Sequence, residues 1–172
     1  MKKKSLIFAA STLILLGLGT TACGSESNKD TASSKTSSKV VKKKTTEFHK
    51  IGNTVKVGKA TYTLTSVKTT TYRNEFEDSN PKYVVEVHYH VKNNSTDKDL
   101  TIGTDLDAYG PNNSKLESYP VQNTTLDTIA PGKEADVVTG FGTDELGTFE
   151  LQFEPFLSVG TKPAKFKVSV KE

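Results

Sequence analysis

Apolar and polar residues that alternate at every second position restrict most strongly what this chain can fold into. The clearest example is residues 82–92. One face of this stretch would carry Val85, Val87, Tyr89 and Val91, and the other would carry Val84, Glu86, His88 and His90. Successive side chains of a β-strand point to opposite faces, so this pattern predicts a strand whose first face is buried.

The same period of two recurs through the rest of the chain after Phe48, and Gly, Pro and Asn residues separate the repeats. Further strands are predicted at 54–57, 60–65, 100–102, 105–109, 114–119, 134–141, 149–153 and 166–170. No stretch shows a helical period with caps over more than about one turn. Strands that recur about every 8–12 residues are typical of a β-sandwich or barrel. Its core is predicted to include Val85, Val87, Tyr89, Phe149, Leu151, Phe153, Phe166 and Val168.

The first 22 residues have the parts of a secretory signal peptide. A positive head with Lys2, Lys3 and Lys4 precedes the uncharged run 6–18, and small residues follow at 19–22. The run is shorter than the roughly 20 apolar residues that a membrane-spanning helix needs. Residues 20–23 (Thr-Thr-Ala-Cys) resemble a bacterial lipobox, with Thr20 where leucine is usual. That resemblance implies cleavage before Cys23, a diacylglyceryl group on its thiol, and anchoring at the outer face of the cell membrane.

Residues 23–47 are predicted to be a disordered tether, and residues 48–172 one folded domain. The tether is rich in Ser, Thr and Lys and has too few apolar groups to offset the entropy lost on ordering. Cys23 is the only cysteine, so no internal disulfide can form. Loss of Lys2, Lys3 and Lys4 would bring the 23 cations level with the 20 acids. Such a neutral chain lacks the basic surface that nucleic-acid binding requires.

Several segments of the domain share an order with a known family. They are Ile-Gly-Asn-Thr-Val at 51–55, Tyr-Val-Val-Glu-Val at 83–87, Val-Lys-Asn-Asn-Ser at 91–95, residues 106–110 and Ile-Ala-Pro-Gly-Lys-Glu at 129–134. This order resembles the telokin-like, immunoglobulin-like domain of unknown function found on Gram-positive surface lipoproteins, over about residues 51–155. The resemblance implies an immunoglobulin-like antiparallel β-sandwich. It carries no active-site residues.

One candidate site lies on the polar face of the strand 82–92. Glu86, His88 and His90 would share this face, with neighbours about 6.5–7 Å apart. Carboxylate and imidazole are metal ligands, but the pattern shows no fourth ligand. A plain polar strand face explains the pattern better, and metal binding or hydrolysis on it remains the alternative function.

Two other patterns favour structural roles. Asp97, Asp99, Asp105 and Asp107 lack the spacing of a calcium-binding loop, so the sequence predicts solvated turn carboxylates. Gly140 and Gly142 lack the further glycines of a phosphate-binding fingerprint and indicate a bulge or a close backbone approach.

The longest stretch of the domain without a strand pattern is residues 69–81, which contains Tyr72, Arg73 and Phe76 among acids. Long loops in compact domains are often functional, and Tyr and Arg are frequent at binding hot spots. The alternative is that these aromatic side chains fold back onto the sandwich. No cysteine or serine stands in a catalytic pattern. We therefore predict a lipid-anchored surface protein with a non-catalytic binding module, no cofactor, and a cell-wall or surface-protein partner.

Overall fold

The computed structural model of the protein describes residues 47–156, 158 and 160–172. The predicted signal peptide, Cys23 and nearly all of the tether lie outside these residues. The described part contains these strands: β1 Thr54–Val57, β2 Ala60–Thr70, β3 Tyr83–Asn93, β4 Leu100–Ile102, β5 Leu106–Tyr109, β6 Asp127–Ile129, β7 Glu134–Thr143, β8 Gly147–Phe153 and β9 Ala164–Val170. Within the same residues no helix has the length and apolarity needed to cross a bilayer.

The strands form an immunoglobulin-like antiparallel β-sandwich. One sheet has the order β1-β2-β3-β7, the facing sheet has the order β5-β8-β9, and β4 pairs with β6. The neighbouring strands of each sheet run antiparallel. The period-two pattern predicted this architecture, because a sheet with one apolar face must bury that face against another sheet.

The core between the sheets is built around aromatic rings. Phe153 of β8 stacks on Tyr62 of β2, with ring centroids 4.9 Å apart, and meets Tyr89 of β3 edge-on at the same distance. All eight core residues predicted from the alternation are buried. Full burial of a side chain of this size contributes about 1.5–3 kcal/mol, so the inner face of β3 and the strands opposite it supply much of the stability.

The predicted strand 114–119 is not a strand. It forms only two isolated bridges, Lys115 with Tyr109 and Ser118 with Phe141. The first bridge lies on the edge of β5 and the second on the edge of β7, so residues 114–119, here called the crossing segment, pass from one sheet to the other. A chain that changes sheets within four residues cannot continue a ladder on either side. The short strand β6 was missed, because it offers only three residues to the pattern.

Two glycines on the outer face of β7 allow the chain to pass close to that strand, which confirms the predicted close approach. A Cβ atom on Gly140 would lie 2.4 Å from Val121 Cγ1 and 2.6 Å from the carbonyl oxygen of Tyr119. A Cβ atom on Gly142 would lie 3.0 Å from Pro81 Cγ. Tyr119 and Val121 thereby cover Val84, so part of the outer face of the sheet is also buried.

The two ends of the sandwich differ in their connections. At one end, here called the loop end, residues 71–82 join β2 to β3 and residues 144–146 join β7 to β8. At the other end, here called the base, β9 begins. His49 runs parallel to β9 opposite Phe166, and its N–H donates to the Lys165 carbonyl oxygen at 2.8 Å. Because the pairing is parallel, residues 47 and 48 lead toward the base.

Candidate functional site

The loop 71–82 projects beyond the two longest strands of the sandwich. β2 and β3 each have 11 residues, and their pairing extends to Thr70 and Val84 after one register shift between Leu64 and Ser66. Both strands are anchored in the core, and the chain must reverse direction between them. The loop therefore stands on a rigid support, which is where binding residues are commonly placed.

Arg73 closes the stem of this loop. Its Nη1 donates to the carbonyl oxygens of Thr70 at 3.1 Å and Tyr72 at 2.8 Å, and its Nη2 donates to the Lys82 carbonyl oxygen at 3.1 Å. One guanidinium group thus joins the outgoing and returning chains. Arg73 was predicted as a contact residue, but most of its donors are used within the loop, so we assign it a positioning role.

A turn at residues 74–77 forms the tip of the loop. The Glu77 N–H donates to the Asn74 carbonyl oxygen at 3.2 Å, and the Phe76 N–H donates to Asn74 Oδ1 at 3.0 Å. The Asn74 N–H donates to the hydroxyl of Tyr119 at 2.8 Å, and Tyr119 is itself buried. The tip is therefore hydrogen-bonded to the body of the domain. Tyr119 was not identified from the sequence, because a partner 45 residues away leaves no local signal.

The aromatic side chains of the loop face solvent. Phe76 is 88 % exposed and Tyr72 is 37 % exposed. The alternative prediction, that these rings fold back onto the sandwich, is thus wrong for Phe76. A fully exposed phenylalanine gains nothing from the fold of the domain, whereas burial against a partner would stabilise a complex.

Carboxylates flank the exposed Phe76 along the loop. Glu75, Glu77 and Asp78 are all exposed, and among the residues that the structure describes none of them forms an ion pair. The neighbouring turn adds Asp144 and Glu145, and Asp144 Oδ1 accepts a hydrogen bond from the Lys82 N–H at 3.2 Å. The guanidinium group of Arg73 is bonded to backbone oxygens. The tip of the loop therefore presents an exposed aromatic ring between negatively charged side chains.

A polar groove of about 530 Å³ lies beside the loop. It runs between the returning stem of the loop, the crossing segment and the β7–β8 turn, and Asn80, Pro81, Asn112, Lys115, Glu117 and Thr143 are among its lining residues. Phe76 stands outside this groove. The loop end therefore offers a protruding ring next to a shallow polar depression.

The strand-face candidates do not converge. Glu86 Oε1 lies 2.5 Å from His88 Nε2 and 3.3 Å from Lys68 Nζ. His90 instead pairs with Asp136, with Nδ1 2.9 Å from Oδ1. Within the described residues no group of three His, Cys, Asp or Glu side chains is arranged to hold a metal ion.

The electrostatics of Glu86 are those of a paired carboxylate. Partial burial pushes the pKa of Glu86 upward, but hydrogen bonds from His88 and Lys68 outweigh it, so the pKa is lowered overall. Glu86 is therefore an ionised acceptor that is already hydrogen-bonded within its own sheet. Its oxygens are committed to neighbours on the strand face rather than aimed at an open site.

The acidic cluster divides into different environments. Asp107 pairs with Lys115 at 2.7 Å, and Asp97 accepts a hydrogen bond from the Ser95 hydroxyl at 3.2 Å. Asp105, in contrast, is only 2 % exposed, so the prediction of a solvated carboxylate is wrong at this position. Its Oδ1 accepts hydrogen bonds from the hydroxyl of Tyr89 and from the Gly103 N–H. These donors replace water and hold the side chain inside.

The sequence profile of the family described as Domain of unknown function (DUF4352) matches residues 49–164. This match spans more than half of the chain and contains the loop, the strand face and the buried Asp105. No curated protein has a significant match to the chain.

Solved structures of several bacterial proteins are similar to the chain. The Bacillus subtilis protein ycdA, inferred to be a lipoprotein, aligns over 70 % of this chain with a TM-score of 0.58 and 19 % identity. The Bacillus subtilis protein yjhA aligns over 72 % of this chain with a TM-score of 0.54 and 16 % identity. The secreted protein MPT63 of Mycobacterium tuberculosis aligns over 71 % with a TM-score of 0.53 and 9 % identity.

The alignments span different shares of those proteins. They cover 39 % of ycdA, 100 % of yjhA and 97 % of MPT63. At these identities the similarity establishes a shared fold. The sandwich thus occurs both as most of a small protein and as part of a larger one.

Proposed function

The chain belongs to the DUF4352 family, and we propose that it is a lipid-anchored surface protein whose β-sandwich is a non-catalytic binding module. The single observation that carries this proposal is Phe76, 88 % exposed at the tip of a loop that is braced at its stem and its tip. A loop that is already ordered loses little conformational entropy when it binds. Phe76 and Tyr72 are the contact residues, and Arg73 and Tyr119 hold the loop in place.

The exposed side chains around Phe76 support one kind of partner. We propose a protein with an apolar pocket that accepts the ring and a rim of lysine or arginine that faces Glu75, Glu77 and Asp78. Burial of a phenylalanine is worth about 1.5–3 kcal/mol. Complementary charge mainly raises the association rate, and this effect weakens as the ionic strength increases. Binding should therefore weaken with salt through slower association.

The location follows from the other end of the molecule. Residues 1–22 have the pattern of a signal peptide, and Cys23 would carry the diacylglyceryl anchor. His49 runs along β9 so that residues 47 and 48 lead to the base, and the loop 71–82 lies at the opposite end of the domain. The inferred lipoprotein ycdA and the secreted protein MPT63 support a location outside the cytoplasm. A tether of about 24 residues would span roughly 25–30 Å on average.

A photo-crosslinking experiment tests the binding site. A benzoyl-phenylalanine at position 76 of the full chain is expected to crosslink one envelope protein on intact cells. The matched control is the same residue at position 156, because Phe156 is also largely exposed, at 66 %, but lies at the base. The captured protein, once purified, should bind Phe76→Ala at least tenfold more weakly than wild type. Equal crosslinking from both positions, or equal affinity of the variant, would remove the loop as the site.

The anchor has a separate test. Cys23→Ala should eliminate incorporation of a fatty-acid probe, because the thiol is the acceptor, and should leave the domain either as precursor or released. Ser25→Ala, two residues away, is the control. Undiminished label on Cys23→Ala would contradict the anchor and leave the binding loop unaffected.

A further inference from the structure

Asp105 ties three parts of the sandwich together. Its Oδ1 accepts one hydrogen bond from the hydroxyl of Tyr89 in β3. The same oxygen accepts a second from the Gly103 N–H at 3.1 Å, within the bend between β4 and β5. Its backbone oxygen accepts from the Glu154 N–H at 2.9 Å, where β8 ends. The side chain thus connects the bend 103–105 to one sheet while its backbone is fixed to the other.

Among the residues that the structure describes, no cationic side chain forms an ion pair with this buried carboxyl group. The titratable groups that face it are Tyr62 from β2 and Tyr89 from β3, and burial raises the pKa of both hydroxyl groups, so they stay protonated. A cavity of about 330 Å³ beside it adds the carboxylates of Asp107 and Glu154, and none of its described lining residues is cationic. Asp105 Oδ2 and the hydroxyl of Tyr62 are both buried without a hydrogen-bond partner.

An ionised Asp105 would be a buried charge without a counter-ion, which is a costly state. Burial accordingly raises the pKa of the Asp105 carboxyl, and the hydroxyl groups of Tyr89 and Tyr62, together with nearby backbone N–H groups, counteract only part of this effect. The neutral acid keeps the same acceptor oxygen for Tyr89 and Gly103 without that cost. The adjoining cavity brings solvent-sized space next to the residue, so a proton can leave without unfolding of the whole domain.

We propose that Asp105 is a proton-operated latch: its neutral carboxyl group holds the bend 103–105 against β3, and transfer of its proton to water loosens the bend. This inference is independent of the binding loop. Because the pKa is raised in the folded state, the stabilisation from the neutral acid is complete below the ordinary pKa of a carboxyl group. It is lost as the pH rises from there through the raised value, and the population with an open bend grows about tenfold per pH unit in that window.

Carbon-13 NMR of the carboxyl groups of the full chain tests the latch directly. One resonance, absent from the Asp105→Asn spectrum, should titrate above the ordinary aspartate range. Over the same pH window the exchange rate of the Gly103 amide, divided by its intrinsic rate, should rise about tenfold per unit. A resonance that titrates at or below the ordinary range would overturn the proposal.

Three variants separate the latch from general loss of stability. Asp105→Asn should show no pH-dependent rise at Gly103. Tyr89→Phe keeps the ring but removes a hydrogen bond that lowers the pKa of Asp105, so the titration should move to still higher pH. Asp107→Asn, in the same cavity but paired with Lys115, is the control and should keep the wild-type titration. If Asp107→Asn abolished the rise or Tyr89→Phe moved it to lower pH, Asp105 would not be the latch.

Discussion

The two ends of the sandwich place the same kinds of side chain in opposite environments. At the base, Asp105 and the rings of Tyr62, Tyr89 and Phe153 are buried together. At the loop end, the exposed Glu75, Glu77 and Asp78 flank the exposed Phe76 along the chain. Aromatic and acidic residues thus stabilise the fold at one end, and at the other they remain available to another molecule.

The difference lies in what each hydrogen bond orders. At the base the donors Tyr89 and Gly103 bond to one of the two carboxyl oxygens of Asp105, and this acid is part of the interior. At the loop end the side chains of Arg73 and Tyr119 bond to backbone groups of the loop. These bonds do not involve Phe76 or the acidic side chains, which stay exposed to solvent. Internal bonds therefore build a core in one case and a prearranged surface in the other.

The largest expected effect is a difference in the free energy of unfolding between Phe→Ala variants at the two ends. Phe153→Ala removes a ring that touches Tyr62, Tyr89 and Phe166, and should lower the free energy of unfolding by about 3–5 kcal/mol. Phe76→Ala deletes the same atoms from the loop end and should change it by no more than about 0.5 kcal/mol. Denaturant unfolding of both variants measures this. Similar losses would show that the loop is part of the core.

An intermediate effect is expected where the crossing segment connects to the loop end. Gly140→Ala puts a methyl group 2.4 Å from Val121 Cγ1 and should cost about 1–3 kcal/mol through overpacking. Because Val121 lies two residues after Tyr119, which bonds to the tip of the loop, the variant should also weaken capture through Phe76. Gly142→Ala, with a nearest contact of 3.0 Å, should cost less. A neutral Gly140→Ala would mean that the segment moves freely on β7.

The smallest effect concerns one hydroxyl group. Tyr119→Phe keeps the buried ring but removes the acceptor of the Asn74 N–H, which should cost about 0.5–1.5 kcal/mol. Amide exchange at Asn74 should accelerate while exchange in β3 stays unchanged. Tyr83→Phe removes a hydroxyl group at the same end that bonds Glu172, and serves as the control. Unchanged exchange at Asn74 would show that the tip does not depend on Tyr119.

Sequence patterns predicted what depends on neighbours along the chain. The inner face of β3, with Val85, Val87 and Tyr89, followed from the period of two, because a strand repeats its faces locally. Val84 was placed on the polar face and is buried, since Val121 covers it from a distant segment. Asp105 reads as a turn residue, and only the fold brings Tyr89 to it.

The candidate loop shows the same limit. Its position was predictable from composition and length, whereas the exposure of Phe76 and the roles of its residues were not. Arginine is frequent at binding hot spots, but Arg73 bonds to carbonyl oxygens on both stems of the loop. Only the folded geometry reveals these bonds. A side chain that bonds to backbone oxygens gives no signal in the pattern of polar and apolar residues.

The parallel run of His49 beside β9 has a mechanical consequence. If Cys23 is fixed in a membrane and a partner holds Phe76, tension between them is directed along the strands. The bonds from the His49 N–H to Lys165 and from the Lys167 N–H to the carbonyl oxygen of His49 then bear the load side by side. They must break together rather than one after the other, so this short pairing acts as a shear joint where the chain leaves the domain.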